Sequence, residues 1–289
     1  MTDAVSLSVV LATIEPWPDL ANCLAVLEPQ IDAVGGEIIV GDGHGEALDP
    51  RIVATSSRIK WIQRPGASVF DLRAAGAEAA RGEIVALTED HCLVGPDWCQ
   101  QILAAFRDHP EAMAVTGPVL NGSTTKMIDW ANFLHTFGSY FPPVNRAQTD
   151  RCPPAANVSF RRSALGGGPI APGWMELELG PRLFRDGQFY VHEAIAVTHV
   201  QSHGFLNTLL AHFDNGRSTT GLTRGVPLSS RQLPWTQYRG AVRSLGGDPR
   251  ATPALRDARP LMLLLSCCHA AGEIVGILAG PGGSPARLR

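Results

Sequence analysis

In the segment 81–98, RGEIVALTEDHCLVGPDW, an apolar run ends in Thr88, Glu89, Asp90 and His91 before Gly95, Pro96 and Asp97 turn the chain into Trp98. Two carboxylates and an imidazole in consecutive positions form a donor set for a divalent cation. The oxygens suit Mg²⁺ or Mn²⁺, and the imidazole favours Mn²⁺ of the two. A cation held there could bridge the protein to a diphosphate and neutralise the charge that builds up as the diphosphate departs. Two more polar clusters, Thr13 to Glu15 and Asp42 to His44, also follow apolar runs. Taken singly, each cluster could equally be a turn or a helix cap, roles in which Asp, Thr and Gly are common.

The elements that must position these clusters are legible as alternating short and long patterns. Residues 7–12, 37–41, 59–63 and 84–88 read as strands, and 18–27, 69–81 and 97–107 as the intervening helices. Strands apolar almost throughout and separated by helices imply a parallel sheet covered on both faces. Ligands of such sheets sit beyond the carboxyl ends of the strands, so the three clusters should converge on one edge. The second half is less regular. It reads as a helix at 126–136, a loop at 138–154, a strand at 157–161, a helix at 176–186, strands at 189–191 and 195–199, and a helix at 205–217. A loop rich in Gly, Pro and Arg over about 221–259 precedes a last apolar segment.

With 289 residues, 45% of them hydrophobic, the chain can bury a sizeable core. A formal net charge of −3 offers no global basic field for nucleic acid. The first residues lack a signal peptide's basic start and apolar core, and the six cysteines show no zinc-ligand spacing, so the expectation is a cytoplasmic protein with reduced thiols. No G-x-x-x-x-G-K-[ST], G-x-G-x-x-G or G-x-S-x-G motif occurs, which removes the main support for P-loop, ordinary dinucleotide-binding and serine-hydrolase readings.

The ordered set SVVLAT (8–13), EIIVGDG (37–43), RAAGAEAARGEIVALTEDH (73–91), AANVSFRRSAL (155–165) and MELELGPRL (175–183) closely resembles the family-two glycosyltransferases. The resemblance implies an α/β fold of the GT-A type, a Rossmann-like nucleotide-diphospho-sugar transferase fold with a mostly parallel central sheet, helices on both faces and a C-terminal helical extension. It places the transferase domain at 1–217, with a nucleotide-binding half at 1–107 and an acceptor-binding half at 108–217, and the extension at 218–289. It implies a nucleotide-diphospho-sugar donor, a divalent metal (Mn or Mg), a glycan or lipid-linked acceptor, and sugar transfer with inversion.

Carried over residue by residue, Thr13 and Glu15 fall where the first loop meets the nucleotide, and Asp42 where the base is contacted. Arg73 opens the segment that in relatives reads Arg-Asn-x-Gly, with Gly76 and Gly82 keeping its spacing. Many members carry Asp-x-Asp where this chain has Glu89-Asp90-His91, which resembles an Asp-x-His variant. His91 then stands as metal ligand, Glu89 meets the metal, its bound water or the ribose, and Asp90 faces away or shares the ligation; Arg73, Glu89 and Asp90 count with Thr13, Glu15 and Asp42 as the residues that bind the nucleotide-sugar. Aligning Arg182-Leu183 puts Glu176 on the general base and Met175 on the acid that usually precedes it, with Glu178 as a spare acid at the acceptor. Asn157 lies in the element beside the acceptor, where it orients sugar hydroxyls or satisfies a buried loop. His199 ends a strand near the diphosphate or metal. Glu176 could also serve as a carboxylate at a helix N-terminus.

Two other readings compete. A metal-dependent nucleotidyltransferase would need a Gly-rich basic loop after the first strand, and ATIEPWP is neither. A non-catalytic member binding a sugar or partner would explain the altered acidic motifs. Segment 260–280 has the length of a bilayer span, but His269 and Glu273 inside it disfavour spanning. Leu261, Leu264, Leu265, Cys268, Gly272, Val275 and Leu278 recur at helical spacing. They suggest a helix packed on the domain, or one in peripheral contact with the inner face of the cell membrane.

Overall fold

The computed structural model describes residues 5–14, 18–44, 58–144, 153–223, 238–239, 242 and 252–288. The chain divides into two compact units, one comprising Met1–Val119 and Arg151–His199, the other Leu120–Asp150 and Val200–Arg289.

The first unit is built on strands β1 (Leu7–Thr13), β2 (Glu37–Asp42), β3 (Ile59–Gln63), β4 (Ile84–Glu89), β6 (Ala114–Thr116), β8 (Val158–Arg161) and β9 (Phe189–Val191). They form one sheet in the order β3-β2-β1-β4-β8-β6-β9. The pairs β1–β2, β1–β4, β2–β3 and β6–β9 are parallel, and β8 runs antiparallel to both its neighbours. All seven residues of β1 and all six of β2 are buried. Because side chains alternate across a strand, this means both faces of the sheet are covered. On one face Val10, Ile39, Val85 and Leu87 pack with Ala74 and Ala77 of helix α2 (Val69–Ala79) and with Met175, Leu179 and Leu183. The other helices of this unit are α1 (Pro18–Val34) and α3 (Trp98–Asp108). Helix α1 continues seven residues past the expected end, carrying Pro29 within it.

Four details set up the edge where β1, β2 and β4 end. Thr13 pairs with Asp42 and Ala12 with Glu89, so the strand ends are level. A three-residue strand β5 (Cys92–Val94), not expected from the sequence, pairs antiparallel with β10 (Val197–His199), Cys92 opposite His199. Helix α2 starts in a capping box in which the Ser68 hydroxyl accepts from the Asp71 amide and the Asp71 carboxylate accepts from the Ser68 amide. Gly76 sits where a Cβ would collide with Cγ1 of Val10, so the helix lies directly on β1. The first unit gives way to the second within a short strand, β7 (Val119–Asn121).

The second unit contains α4 (Met127–Phe137), α6 (Phe205–Leu222) and α7 (Thr252–Ala279); α5 (Gly180–Arg185) belongs to the first. Helix α7 begins inside the region expected as loop. Helices α6 and α7 run parallel at backbone contact. A Cβ on Gly216 would meet the His269 carbonyl, one on Gly272 the Phe213 carbonyl, and one on Gly276 the Thr220 hydroxyl. The expected apolar stripe of α7 is corrected here. Leu265 and Gly272 are buried, but Leu264 and Leu278 are exposed, and the buried stripe is Leu255, Ala258, Met262, Leu265, Ser266, His269, Gly272 and Gly276. The 3.6-residue period admitted both stripes; packing against α6 and α4 selects the one containing the glycines.

Candidate active site

Strand β4 delivers Glu89 at its carboxyl end, and the chain turns through Asp90 and His91 into β5. Pairing of Cys92 with His199 then fixes His199 beside His91. The two imidazoles meet edge to face, with His91 Nε2 and His199 Nε2 3.0 Å apart. Glu89 Oε2 lies 3.4 Å from each of these nitrogens. The other face of His91 is held by Asp90, whose Oδ1 accepts from Nδ1 at 2.8 Å. That bond commits Nδ1 and aims Nε2 at Glu89 and His199, the orientation a metal-binding histidine needs. The ligand atoms of Glu89, His91 and His199 lie within 4.8 Å of one another. Two imidazole nitrogens and one carboxylate oxygen fit a cation such as Mn²⁺ better than Mg²⁺. Asp90 thus supports His91 from behind, one of the two orientations open to it in the sequence.

Arg73, from α2, connects this cluster to a second carboxylate. One guanidinium nitrogen is 2.7 Å from Glu89 Oε1 and another 3.5 Å from Glu176 Oε1, with all three side chains largely buried. Glu176 stands in a π-helical turn, Met175–Leu179, that precedes α5. Such wide turns are rare and concentrate at functional sites. The turn buries Glu176 and leaves Glu178 exposed. Among the described contacts, none brings Glu178 to the cluster.

The electrostatics follow from burial and pairing. Burial pushes the Glu176 carboxyl up, with the Arg73 charge working against it. Burial would also raise Glu89, but hydrogen bonds from His199 and His91 and the charge of Arg73 hold it well below the usual carboxylate range. For His91, burial opposes the charged form, yet its bonds to Asp90 and Glu89 push it up to about 10. Two carboxylates joined by one arginine are therefore driven in opposite directions, the arrangement that separates a base from a binding group.

The remaining expected residues are distributed as follows. Thr13 and Asp42 are buried at adjacent strand ends, Asp42 accepting from the His44 amide at 2.9 Å and from Gln63 Nε2 at 3.3 Å. Glu15 lies outside the described residues. Asn157 is buried with its amide committed to the protein. It accepts from Trp98 Nε1 at 3.1 Å and donates to the carbonyls of Ile195 and Pro118 at 2.7 and 3.1 Å. It thereby ties α3, β8 and the approach to β10 together, the loop-satisfying role rather than an open one. What the sequence reading missed is the bridge at Arg73. The available signal was a lone arginine set among Leu72, Ala74, Ala75 and Gly76 in a helix facing the sheet.

Residues 8–166 match the family model described as glycosyl transferase family 2. The chain belongs to this family. Among curated relatives, the mouse (Mus musculus) polypeptide N-acetylgalactosaminyltransferase 12 is 30% identical over 145 residues, which is 47% of this chain and 24% of that protein. The chain thus spans about a quarter of the length of that relative. Among solved structures, the mannosyltransferase PcManGT from Pyrobaculum calidifontis, in complex with GDP-Man and Mn²⁺, aligns with a TM-score of 0.55 at 15% identity, covering 94% of this chain and 88% of the other. That likeness establishes the GT-A fold of the family-two domain.

Proposed function

We propose that this chain is a metal-dependent glycosyltransferase that moves a sugar from a nucleotide-diphospho-sugar to an acceptor hydroxyl with inversion. The supporting observation is the convergence of Glu89, His91 and His199 within 4.8 Å at the strand edge, with Arg73 linking Glu89 to the buried Glu176. Glu89, His91 and His199 would hold the cation, which when bound neutralises the departing diphosphate. Glu176 takes the proton of the acceptor hydroxyl as that oxygen forms its bond to the anomeric carbon. The bond from that carbon to the diphosphate oxygen breaks, and its electron pair leaves with the diphosphate. A carboxyl raised by burial is better matched to this base role than a solvated one. Arg73 keeps Glu89 ionised and restrains Glu176 from rising further. Thr13 and Asp42, level with Glu89 on the same edge, would meet the nucleotide. The acceptor would be a glycan or a lipid-linked hydroxyl, reached at the cytoplasmic face of the membrane through peripheral contact at 260–280. The complex with GDP-Man and Mn²⁺ is a property of the archaeal mannosyltransferase, and the nucleotide panel below reads the base that this chain takes.

The test is a thermal-shift panel of nucleoside diphosphates with Mn²⁺, with Mg²⁺ and with EDTA. The expected result is stabilisation by one nucleotide only when a cation is present. Stabilisation of equal size in EDTA would sink the metal assignment, and no response to any nucleotide would sink the donor class.

A further inference from the structure

The second unit has its polarity reversed. In α6 the buried positions include Thr208, His212, Asp214, Ser218 and Thr220, while Phe205, Leu206 and Leu210 are exposed, Leu206 at 65%. Several of the buried polar groups are matched within the unit, while the Ser218 hydroxyl has no hydrogen-bond partner. His212 Nε2 bonds Asn132 Oδ1 at 2.9 Å, His135 Nε2 bonds the Ser266 hydroxyl at 2.9 Å, and Asp214 accepts from Arg287 Nε at 3.0 Å. Helix α7 turns the other way. Its outward positions after Pro260 are Leu263, Cys267, Ala271, Ile274 and Leu278, with Leu264 and Ile277 beside them. Ile274 is 58% and Leu278 78% exposed. That stripe holds no charge over about 22 Å of helix. A contiguous apolar face of this kind marks a surface that meets something other than water.

Charge identifies the occupant. Residues 201–289 carry ten arginines, no lysine and four acidic side chains, in a chain that as a whole has 24 basic and 27 acidic residues. Arg256 and Arg259 are exposed on α7 just ahead of the apolar stripe. An apolar stripe opening on arginines, in a basic segment of an otherwise acidic chain, complements an anionic lipid surface. We infer that α7 lies in the plane of an anionic bilayer interface, with Leu263, Leu264, Ile274, Ile277 and Leu278 immersed and Arg256 and Arg259 at the headgroups. Spanning is excluded by the partner helix, because α6, in backbone contact with α7 at Gly216, Gly272 and Gly276, carries Asp214, Asn215 and Arg217. The inference rests on the peripheral contact proposed above and adds the face, the orientation and the lipid charge.

The experiment is flotation of the full-length protein with vesicles of phosphatidylcholine alone or mixed with phosphatidylglycerol. The intact protein should float with the mixed vesicles. Ile274→Glu/Leu278→Glu should reduce partitioning at least about tenfold, as expected when an apolar face is the attachment. Arg256→Gln/Arg259→Gln should remove the preference for phosphatidylglycerol. Circular dichroism and the nucleotide thermal shift report whether each variant folds, and Leu278→Ser serves if the double variant does not. An intact protein that stays at the bottom overturns the peripheral contact itself. An intact protein that floats while the folded Glu variants float equally overturns this face alone. Gel filtration showing a dimer that the Glu variants dissociate, without flotation, would assign the face to a second copy and overturn the lipid assignment.

Discussion

The two ends of one sheet handle charge in opposite ways. At the amino edge, Glu37 of β2 accepts from the Ser8 hydroxyl at 2.7 Å, from the Arg81 amide at 2.8 Å and from the Arg81 side chain at 2.7 and 2.9 Å, while Ser8 accepts from the Gly82 amide at 2.8 Å. At the carboxyl edge, two imidazole nitrogens and a carboxylate oxygen face one another, and a single arginine is shared between two acids. The first network closes on itself and fastens β1, β2 and the turn after α2. The second gathers its donor atoms, those of Glu89, His91 and His199, within 4.8 Å of one another, which is where the proposed cation would sit. Buried charge that is saturated by its neighbours builds the fold; buried donor atoms that converge on one point offer the arrangement that the proposed cation requires. An open groove of about 510 Å³ lies at the amino edge, lined by Glu37, Arg58, Lys60 and Arg81, but it belongs to the saturated network and holds none of the converging groups.

The largest effect should come from Glu176→Gln, which removes the proposed base and keeps the shape. Transfer should fall about 100-fold or more while metal-dependent nucleotide binding is retained, measured by product formation beside calorimetry. Near wild-type turnover would move the base elsewhere. Next, His199→Ala should abolish most cation-dependent nucleotide binding, and Asp90→Asn, which acts through His91, should weaken cation affinity about 10-fold, both read by titration with Mn²⁺. Identical titrations of wild type and His199→Ala would dissolve the contrast between the edges.

At the amino edge the effect should appear in stability alone. Glu37→Gln should cost about 1–3 kcal/mol in urea unfolding at neutral pH and leave nucleotide binding unchanged. Burial would raise Glu37, but the bonds from Arg81 and Ser8 outweigh it and lower its pKa in the folded protein. Its contribution is therefore present above the carboxylate range of the unfolded chain and lost as the pH falls through the lowered folded value. The gap between wild type and Glu37→Gln should close on acidification; a gap that widens would contradict the assignment. The smallest effect belongs to Lys60→Ala in the groove, within about 0.5 kcal/mol and without consequence for nucleotide binding.

The parallel half of the sheet was legible because β1, β2 and β4 are long and apolar enough to show their period, and β3 matches its expected limits of Ile59 to Gln63. Strands β5, β6 and β7 were not, since three residues carry too little pattern to separate from a turn. That gap mattered. The placement of His199 against His91 depends on Cys92 pairing with it, a contact between positions more than a hundred residues apart. The π turn was equally hidden, as its sequence, MELEL, reads as one ordinary helical turn. Arg73 was visible as a residue but not as a bridge, because its reach depends on how closely α2 approaches the sheet.

That approach is set by Gly76, one turn after Arg73 and directly against Val10. The missing side chain acts as a spacer of fixed thickness. Any methyl inserted there lifts the helix and with it the guanidinium, so the electrical coupling between Glu89 and Glu176 is calibrated by a packing distance on the far side of neither residue. Drift at this glycine would detune both carboxylates at once, without altering a single ionisable group.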